Sequence, residues 1–379
     1  MMDKSYTAAP IKGRGTASRL PGRFAQHWVE PYVEPRTEGE PRTGGEPRTQ
    51  QETIDLLELS PTAPTTELRQ ETAKSIITRN RSPDVPFNLS INPYRGCEHG
   101  CIYCFARPSH AYIDLSPGID FETKISVKHN APALLEAELQ RPGYQCQPIA
   151  LGINTDAYQP LEKDTEVTRR LLEVALRFKQ PISIITKSAL ILRDLDLLRA
   201  MAEHNLVHVA ISVTTLDKAL KRQLEPRASS GESRLRTIRE LRAAGVPVSV
   251  LIAPVIPLLN ERELEQIVAA VAEAGAQSAS YIPLRLPHEV APLFIDWLYQ
   301  HFPQRAGHIL SRLKDIGGGR LYNSRFGERM RGQGIFAELI NQRFHRALRQ
   351  HGLAANQRTE LNCGDFCPPS RGGNQLSLW

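Results

Sequence analysis

From about residue 86, short apolar or β-branched runs alternate with longer stretches in which apolar residues recur every three or four positions. The runs are Phe87–Tyr94, Pro148–Asn154, Pro181–Lys187, Val207–Val213, Val246–Pro254 and Gln277–Pro287, and their composition predicts buried strands. The amphipathic stretches Pro132–Gln140, Thr165–Lys179, Asp194–Asn205, Ser233–Ala244, Glu261–Ala274 and His288–His301 predict helices. Strand–helix alternation with short breaks favours parallel βα units. Six such units predict an α/β fold, a partial (β/α)6 barrel of TIM type over residues 80–301. A doubly wound open sheet has the same periodicity.

The alternation fails at both ends. Residues 1–65 carry three Glu-Pro-Arg-Thr units, beginning at Glu34, Glu40 and Glu46, and prolines at that density block helix and sheet ladders. This predicts a disordered tether. Its basic stretch, Lys12-Gly13-Arg14 with Arg19 and Arg23, could contact phosphate or simply be solvated. Residues 302–379 are rich in Arg and Gly, with one predicted helix at Ile335–His351 and a polar tail.

Composition changes this picture little, but the location of charge does. With 41% hydrophobic and 23% charged residues, the 379-residue chain is ordinary for a globular protein. No apolar run approaches the roughly 20 residues of a membrane span, and the N-terminus lacks a signal-peptide core, so a cytoplasmic protein is expected. The net charge of +6 sits entirely in residues 301–379, which hold twelve Lys/Arg against five Asp/Glu. A clustered surplus is a candidate nucleic-acid surface. The alternative is a solvated helix face, with Ile335, Leu339 and Phe344 on one side and Arg343, Arg346 and Arg349 projecting outward. Gly317-Gly318-Gly319-Arg320 lacks the Lys-Ser/Thr of a phosphate-binding loop, which excludes a P-loop NTPase.

Three of the six cysteines fall in Gly96-Cys97-Glu98-His99-Gly100-Cys101-Ile102-Tyr103-Cys104, just after the first predicted strand. Three thiolates from one short loop suit three irons of a [4Fe–4S] cluster, leaving the fourth iron open to a cofactor or substrate. A structural zinc with His99 or His110 as fourth ligand is the alternative, although zinc sites usually draw their ligands from two separated pairs.

This C-x3-C-x2-C loop, with Tyr103 in its aromatic slot, resembles that of the radical S-adenosylmethionine superfamily. The motifs Gly152-Ile-Asn-Thr155-Asp156, Thr186-Lys187-Ser188, Glu225-Pro226-Arg227 with Arg234, and Ala253-Pro254 follow or end successive strands. They resemble the spore photoproduct lyase-like (DNA repair photolyase-like) branch over roughly residues 80–300. The flanking sequence is similar to an uncharacterised bacterial subfamily of that branch. The resemblance implies that S-adenosylmethionine chelates the open iron and is cleaved reductively to a 5′-deoxyadenosyl radical, with an electron donor such as flavodoxin or ferredoxin.

It also implies roles for individual residues. Cys97, Cys101 and Cys104 ligate iron and Tyr103 lies beside the adenine. Thr155 and Asp156 hydrogen-bond the methionyl end, Lys187 pairs with its carboxylate, and Ser212 contacts the cofactor. Each has a plainer alternative. Asp156 could cap a turn, Lys187 could snorkel from its strand, Ser212 could bond internally, and Glu225 with Arg234 could form a structural ion pair. One departure matters: Ile153 stands where spore photoproduct lyases have a hydrogen-donating cysteine, so reversal of a thymine dimer by that route is not expected. Cys146 reads as an inert small hydrophobe. Cys363 and Cys367 are candidate hydrogen donors if the tail folds over the barrel mouth. They are otherwise part of an auxiliary site or plain tail thiols.

The last residues, Gln375-Leu376-Ser377-Leu378-Trp379, resemble the peptide by which bacterial repair proteins dock on the sliding clamp, or they pack back on the barrel. The leading expectation is therefore a radical enzyme acting on nucleic acid, as a repair-like lyase or in base modification. A base in duplex DNA would have to be flipped out to reach it. The alternatives are the same chemistry on tRNA, a peptide or a small molecule, and a non-catalytic metal-bearing module docked on the clamp.

Overall fold

The structure, a computed structural model, describes residues 10–25, 65–355 and 360–368. The Glu-Pro-Arg-Thr repeats and the Gln375–Trp379 peptide lie outside the described residues. Eleven strands are formed among those described: β1 Glu67–Glu71, β2 Ile77–Arg79, β3 Leu89–Ile91, β4 Tyr94–Arg95, β5 Lys124–Lys128, β6 Ile149–Leu151, β7 Ile182–Thr186, β8 Val207–Ser212, β9 Val248–Val255, β10 Ser278–Pro283 and β11 Ala354–Ala355.

The six predicted strands form inside their runs as β3, β6, β7, β8, β9 and β10. They are parallel and neighbour one another in that order. A doubly wound sheet reverses its strand order partway. Here the order never reverses, so right-handed crossovers put every connecting helix on one face, and a parallel sheet wound in one sense fits a partial barrel. Strands β6 and β8 show why these segments become strands. Ile149–Leu151 is buried on both faces, and in Val207–Ser212 buried Val207, Val209 and Ile211 alternate with half-buried His208 and Ala210.

Three features escaped the periodicity. A second small sheet, β1-β5-β4, brackets the cysteine loop. Its strands are short or carry charged residues, so they lack an apolar run. Helix Pro303–Ile316 lies inside the region expected to be an extension, and it buries Ala306, Ile309 and Leu313 in one apolar cluster with Ile102, Leu286 and Trp297. The boundary at residue 302 thus runs through a continuous core. In helix Gly334–Gln350 the buried positions are Ala337, Ile340, Phe344, Ala347 and Leu348, while Ile335 and Leu339 face solvent. Arg343 is not free either. It pairs with Glu261 at 2.9 Å and Glu265 at 2.7 Å, fastening this helix to Leu264–Glu273. Arg346 and Arg349 are exposed as expected.

The N-terminal expectation also changes. Residues 10–25 pack as a strap across the loops that follow the cysteines. The Ser18 carbonyl accepts from Ile119 N at 2.9 Å, the Leu20 carbonyl from Ser116 Oγ at 2.7 Å, and Arg23 pairs with Glu289 at 3.2 Å. Disorder fails here because the strap finds backbone partners that its own sequence does not display. Among the described residues no helix is long and apolar enough to cross a membrane.

Candidate active site

The cysteine loop leaves β4 and is tied down from several sides. Cys97 N donates to Phe121 O at 2.9 Å, Ile102 N to Leu224 O at 3.1 Å, and Arg227 N to His99 O at 3.2 Å. Gln159 bridges two further points, accepting from Glu98 N at 2.9 Å and donating to Gly96 O at 3.3 Å. Gly100 has φ +67°, and a Cβ there would stand 2.7 Å from Glu122 Oε2, so glycine is required on both backbone and steric grounds. The strap presses on the same spot. Gly15 lies so close that a Cβ on it would meet the Gly100 carbonyl oxygen at 1.8 Å.

Beneath the loop lies an ion pair of Arg107 and Glu122, both fully buried. Arg107 also donates to the carbonyls of Cys101, Pro117 and Gly118, and Glu122 accepts from Gly15 N. Sequence reasoning missed both residues. The available signal was Arg107 in Phe-Ala-Arg-Pro directly after Cys104. Glu122 has no local signal.

Burial pushes the Cys97, Cys101 and Cys104 thiols above their ordinary range, and the negative charges of Asp156 on Cys97 and of Glu225 on Cys101 push the same way. Holding three such sulfurs as thiolates requires positive charge between them, which iron supplies. Zinc fits less well. Its four ligands each lie about 2 Å from one ion, and among the described residues no three Cys, His, Asp or Glu side chains converge on a single-ion site. Each candidate histidine also faces another group. His99 Nδ1 lies 3.4 Å from Asp156 Oδ2. His110, which burial lowers to about 4, packs edge-on against Phe121 and sets Nε2 3.2 Å from Lys124 O. The donor set fits a cluster.

Beside Cys101, the ends of β7 and β8 assemble a buried polar group. Lys187 Nζ donates to Ser212 Oγ at 2.6 Å and stands 3.7 Å from Glu225 Oε1 and 5.9 Å from the Tyr103 ring centroid. Tyr103 OH donates to Glu225, and so does Thr214 Oγ1, at 2.6 Å. Arg234 closes the group, pairing with the other Glu225 oxygen and donating to Ser212 O at 2.9 Å. Burial would raise the Glu225 carboxyl, but Arg234, Lys187 and the hydroxyl donors hold it down at about 2. Burial and the adjacent Glu225 charge push the Tyr103 phenol up, so it stays protonated. The structure thus brings Tyr103, Lys187, Ser212, Glu225 and Arg234 together, and adds Thr214.

Asp156 is occupied within the protein. Its oxygens accept from Thr186 Oγ1 at 2.7 Å, Lys187 N at 2.8 Å and Tyr158 N at 2.9 Å, besides facing His99. Burial would raise its carboxyl, but these partners hold it at about 2. Thr155 turns to the Tyr94 carbonyl at 3.3 Å. Both residues therefore stitch the loop after β6 to its neighbours. Asn260, also unmarked in the sequence, does the same after β9, donating to Thr214 O at 2.7 Å and Pro254 O at 2.8 Å.

Cys363 and Cys367 are not brought to this site. Cys367 N donates to Phe178 O at 3.1 Å and Asn362 N to Asn205 O at 2.9 Å. Phe178 and Asn205 precede β7 and β8, so these thiols lie at the N-terminal ends of the strands, opposite the cysteine loop. A tail folded over the mouth is thereby corrected, and Cys146, just before β6, lies on the same far side. On the face of the cysteine loop, Cys97, Cys101 and Cys104 are the only thiols among the described residues.

A sequence model of the Radical SAM superfamily matches residues 91–271. An uncharacterised protein of Mycobacterium tuberculosis is 37% identical over 234 residues, covering 61% of this chain and 68% of the relative. One from Methanocaldococcus jannaschii is 30% identical over 191 residues, covering 50% of this chain and 68% of the relative. Among solved structures, spore photoproduct lyase complexed with dinucleoside spore photoproduct superposes with a TM-score of 0.55 at 15% identity, over 76% of this chain and 80% of that one.

Proposed function

Because this chain belongs to the radical S-adenosylmethionine (SAM) superfamily, we propose that it applies radical chemistry to a nucleic acid, as a repair-like lyase or a base-modifying enzyme. It is an enzyme whose cofactors are a [4Fe–4S] cluster and S-adenosylmethionine. When bound, they supply reductive cleavage of the cofactor to a 5′-deoxyadenosyl radical. The chain's own residues do the rest. Cys97, Cys101 and Cys104 would hold the cluster. Lys187 and Ser212 would offer charge and hydrogen bonds to the methionyl end, Tyr103 a ring to the adenine, and Thr155 with Asp156 would set the loop they face. Glu225 holds Lys187 and Tyr103 in place, and Arg234 holds Glu225.

The observation that carries a nucleic-acid substrate is an exposed aromatic–arginine surface beside the loop. Phe105, directly after Cys104, is 46% exposed, and the Arg285 guanidinium lies 5.4 Å from its ring centroid. Phe326, 59% exposed, lies 4.6 Å from the Arg329 guanidinium, which is itself paired with Asp84, and Arg325 and Arg331 are exposed nearby in sequence. Aromatic faces interleaved with arginines suit base stacking and phosphate contact. The fold shared with a lyase solved with a dinucleoside supports the same reading. A non-catalytic docking module is not favoured, given membership of an enzyme superfamily.

The reaction differs from that of the lyase in its hydrogen donor. With Ile153 after β6 and Cys146, Cys363 and Cys367 on the far side, no thiol outside the cluster set faces the site. The reaction either ends without returning hydrogen or takes it from a group other than cysteine. An electron donor of the flavodoxin or ferredoxin class completes the system.

The test is anaerobic reconstitution with S-adenosylmethionine and a reductant, with 5′-deoxyadenosine measured in the presence of damaged or modified oligonucleotides, tRNA, or neither. Stimulation by nucleic acid together with a changed base is expected. Equal cofactor cleavage with and without nucleic acid would overturn the reading.

A further inference from the structure

The three cysteines that the site does not use are gathered at the opposite end of the barrel. There, residues 360–368 form a second strap across the loops that enter β6, β7 and β8. Asn205 Nδ2 donates to Glu360 O at 2.8 Å, Asn362 N to Asn205 O at 2.9 Å, and Cys367 N to Phe178 O at 3.1 Å. Leu361 is buried. The Phe366 ring packs on Tyr144 with centroids 5.3 Å apart. Tyr144 is itself oriented by Gln180, whose Oε1 accepts from Tyr144 OH at 2.9 Å and lies 3.7 Å from Cys146 Sγ. These contacts bring the strap segment that carries Cys363 alongside the loop that carries Cys146.

We propose that Cys146 and Cys363 are a thiol modification site, joining reversibly in a disulfide that staples the C-terminal strap to the base of the barrel. Three observations point to this pair. Cys146 and Cys363 are half-buried, whereas Cys367 is exposed and its Sγ turns toward Pro368 O at 3.8 Å. The strap's hydrogen bonds and the Tyr144–Phe366 contact already hold the two cysteine-bearing segments against each other, which lowers the chain-ordering cost of closing the ring. Finally, among the described residues these cysteines do not converge with a third ligand on a single-ion site, so a metal is not the reason for their meeting.

The oxidant is a low-molecular-weight disulfide, represented by glutathione disulfide. The Cys363 thiolate, on the outer strap, attacks one of its sulfurs and releases one glutathione thiolate, leaving a mixed disulfide. The Cys146 thiolate then attacks the Cys363 sulfur and releases the second. The protein loses two electrons and two protons, and one glutathione disulfide becomes two glutathiones. Burial and the Cys363 contact push the Cys146 thiol up to about 12. The second step is therefore the slower one.

The site is independent of the substrate reading and is tested on the full-length, cluster-loaded protein. Under anaerobic conditions the protein is equilibrated with defined ratios of glutathione and its disulfide, alkylated, digested with trypsin without reduction and analysed by mass spectrometry. Tryptic peptides 129–163 and 359–371, which contain Cys146 and the Cys363–Cys367 pair, are expected to appear crosslinked. The crosslink should vanish on return to glutathione. It should persist in Cys367→Ala and be lost in Cys146→Ser, where Cys363 should instead accumulate as a glutathione adduct. Iron content equal to wild type in both variants shows that they are folded. A Cys363–Cys367 bond within peptide 359–371, loss of the crosslink in Cys367→Ala, or Cys146 remaining reduced in wild type at every ratio would overturn the proposal.

Discussion

Arg107 and Glu122 stand 2.5 Å apart with no solvent exposure, and between them they contact the cysteine loop, the Pro117–Gly118 turn and the N-terminal strap. The pair is the floor of the proposed cluster site, although neither residue would touch iron.

Arg107→Ala leaves Glu122 buried without its partner, and a charge stranded in this way costs about 3–5 kcal/mol. Cluster loading should fall with it, because the Cys101 carbonyl loses its donor. Thermal unfolding and iron per chain after reconstitution measure both effects. Full iron loading in Arg107→Ala would show that the loop holds its shape without the pair.

Lys187→Met removes the charged donor nearest the proposed methionyl site. A charge-assisted hydrogen bond contributes about 1.5–3 kcal/mol, so affinity for S-adenosylmethionine should drop roughly tenfold to a hundredfold with iron content unchanged. Titration of the reduced, cluster-loaded variant by calorimetry measures this. Unchanged affinity would make Lys187 a structural partner of Ser212 and Glu225 only.

The pH dependence of stability should carry the signature of Glu225. Its carboxyl is depressed from 4.5 to about 2, so its contribution is fully present above pH 4.5 and is lost as the pH falls toward 2. The span corresponds to about 3 kcal/mol. Urea midpoints of the apoprotein measured from pH 5 down to pH 2.5 should decline less steeply in Glu225→Gln than in wild type. Parallel profiles would reject the assignment.

Gly15→Ala places a methyl group on the Gly100 carbonyl, a contact no rotamer can relieve. The strap should lift, so trypsin should cut the loosened backbone after Arg19 and Arg23 faster than in wild type, and air oxidation of the cluster should be faster. A digestion pattern identical to wild type would mean that the strap shifts without detaching.

Phe326→Ala should weaken single-stranded DNA binding by about tenfold to a hundredfold, the scale of one lost base–aromatic stack. Arg325→Ala with Arg331→Ala should instead flatten the salt dependence. Fluorescence anisotropy at several salt concentrations separates the two effects. Absence of salt-dependent binding in the wild type would remove the surface from the proposed function.

The legible part of this protein was local. The C-x3-C-x2-C loop places three thiols within eight residues, and the six strand runs announce themselves through their apolar and β-branched composition, so both can be read without a neighbour in view. Lys187, Ser212 and Glu225 were legible as strand-end residues, and the plainer alternative of a Glu225–Arg234 pair is also realised. Arg107–Glu122, Thr214 and Asn260 were not legible, because a polar residue's burial depends on a partner that another element delivers.

The order of the sheet, the two straps and the side of the barrel on which each cysteine lies belong to the same class. Sequence alone determined that βα units form and that Cys97, Cys101 and Cys104 share one loop, because these follow from periodicity and spacing along the chain. Only the tertiary structure decided that residues 10–25 and 360–368 bind opposite ends of the parallel sheet, and that Cys363 lies on the side of Cys146 rather than at the active site. Those outcomes rest on hydrogen bonds and packing between residues far apart in the sequence, for which the chain offers no local pattern.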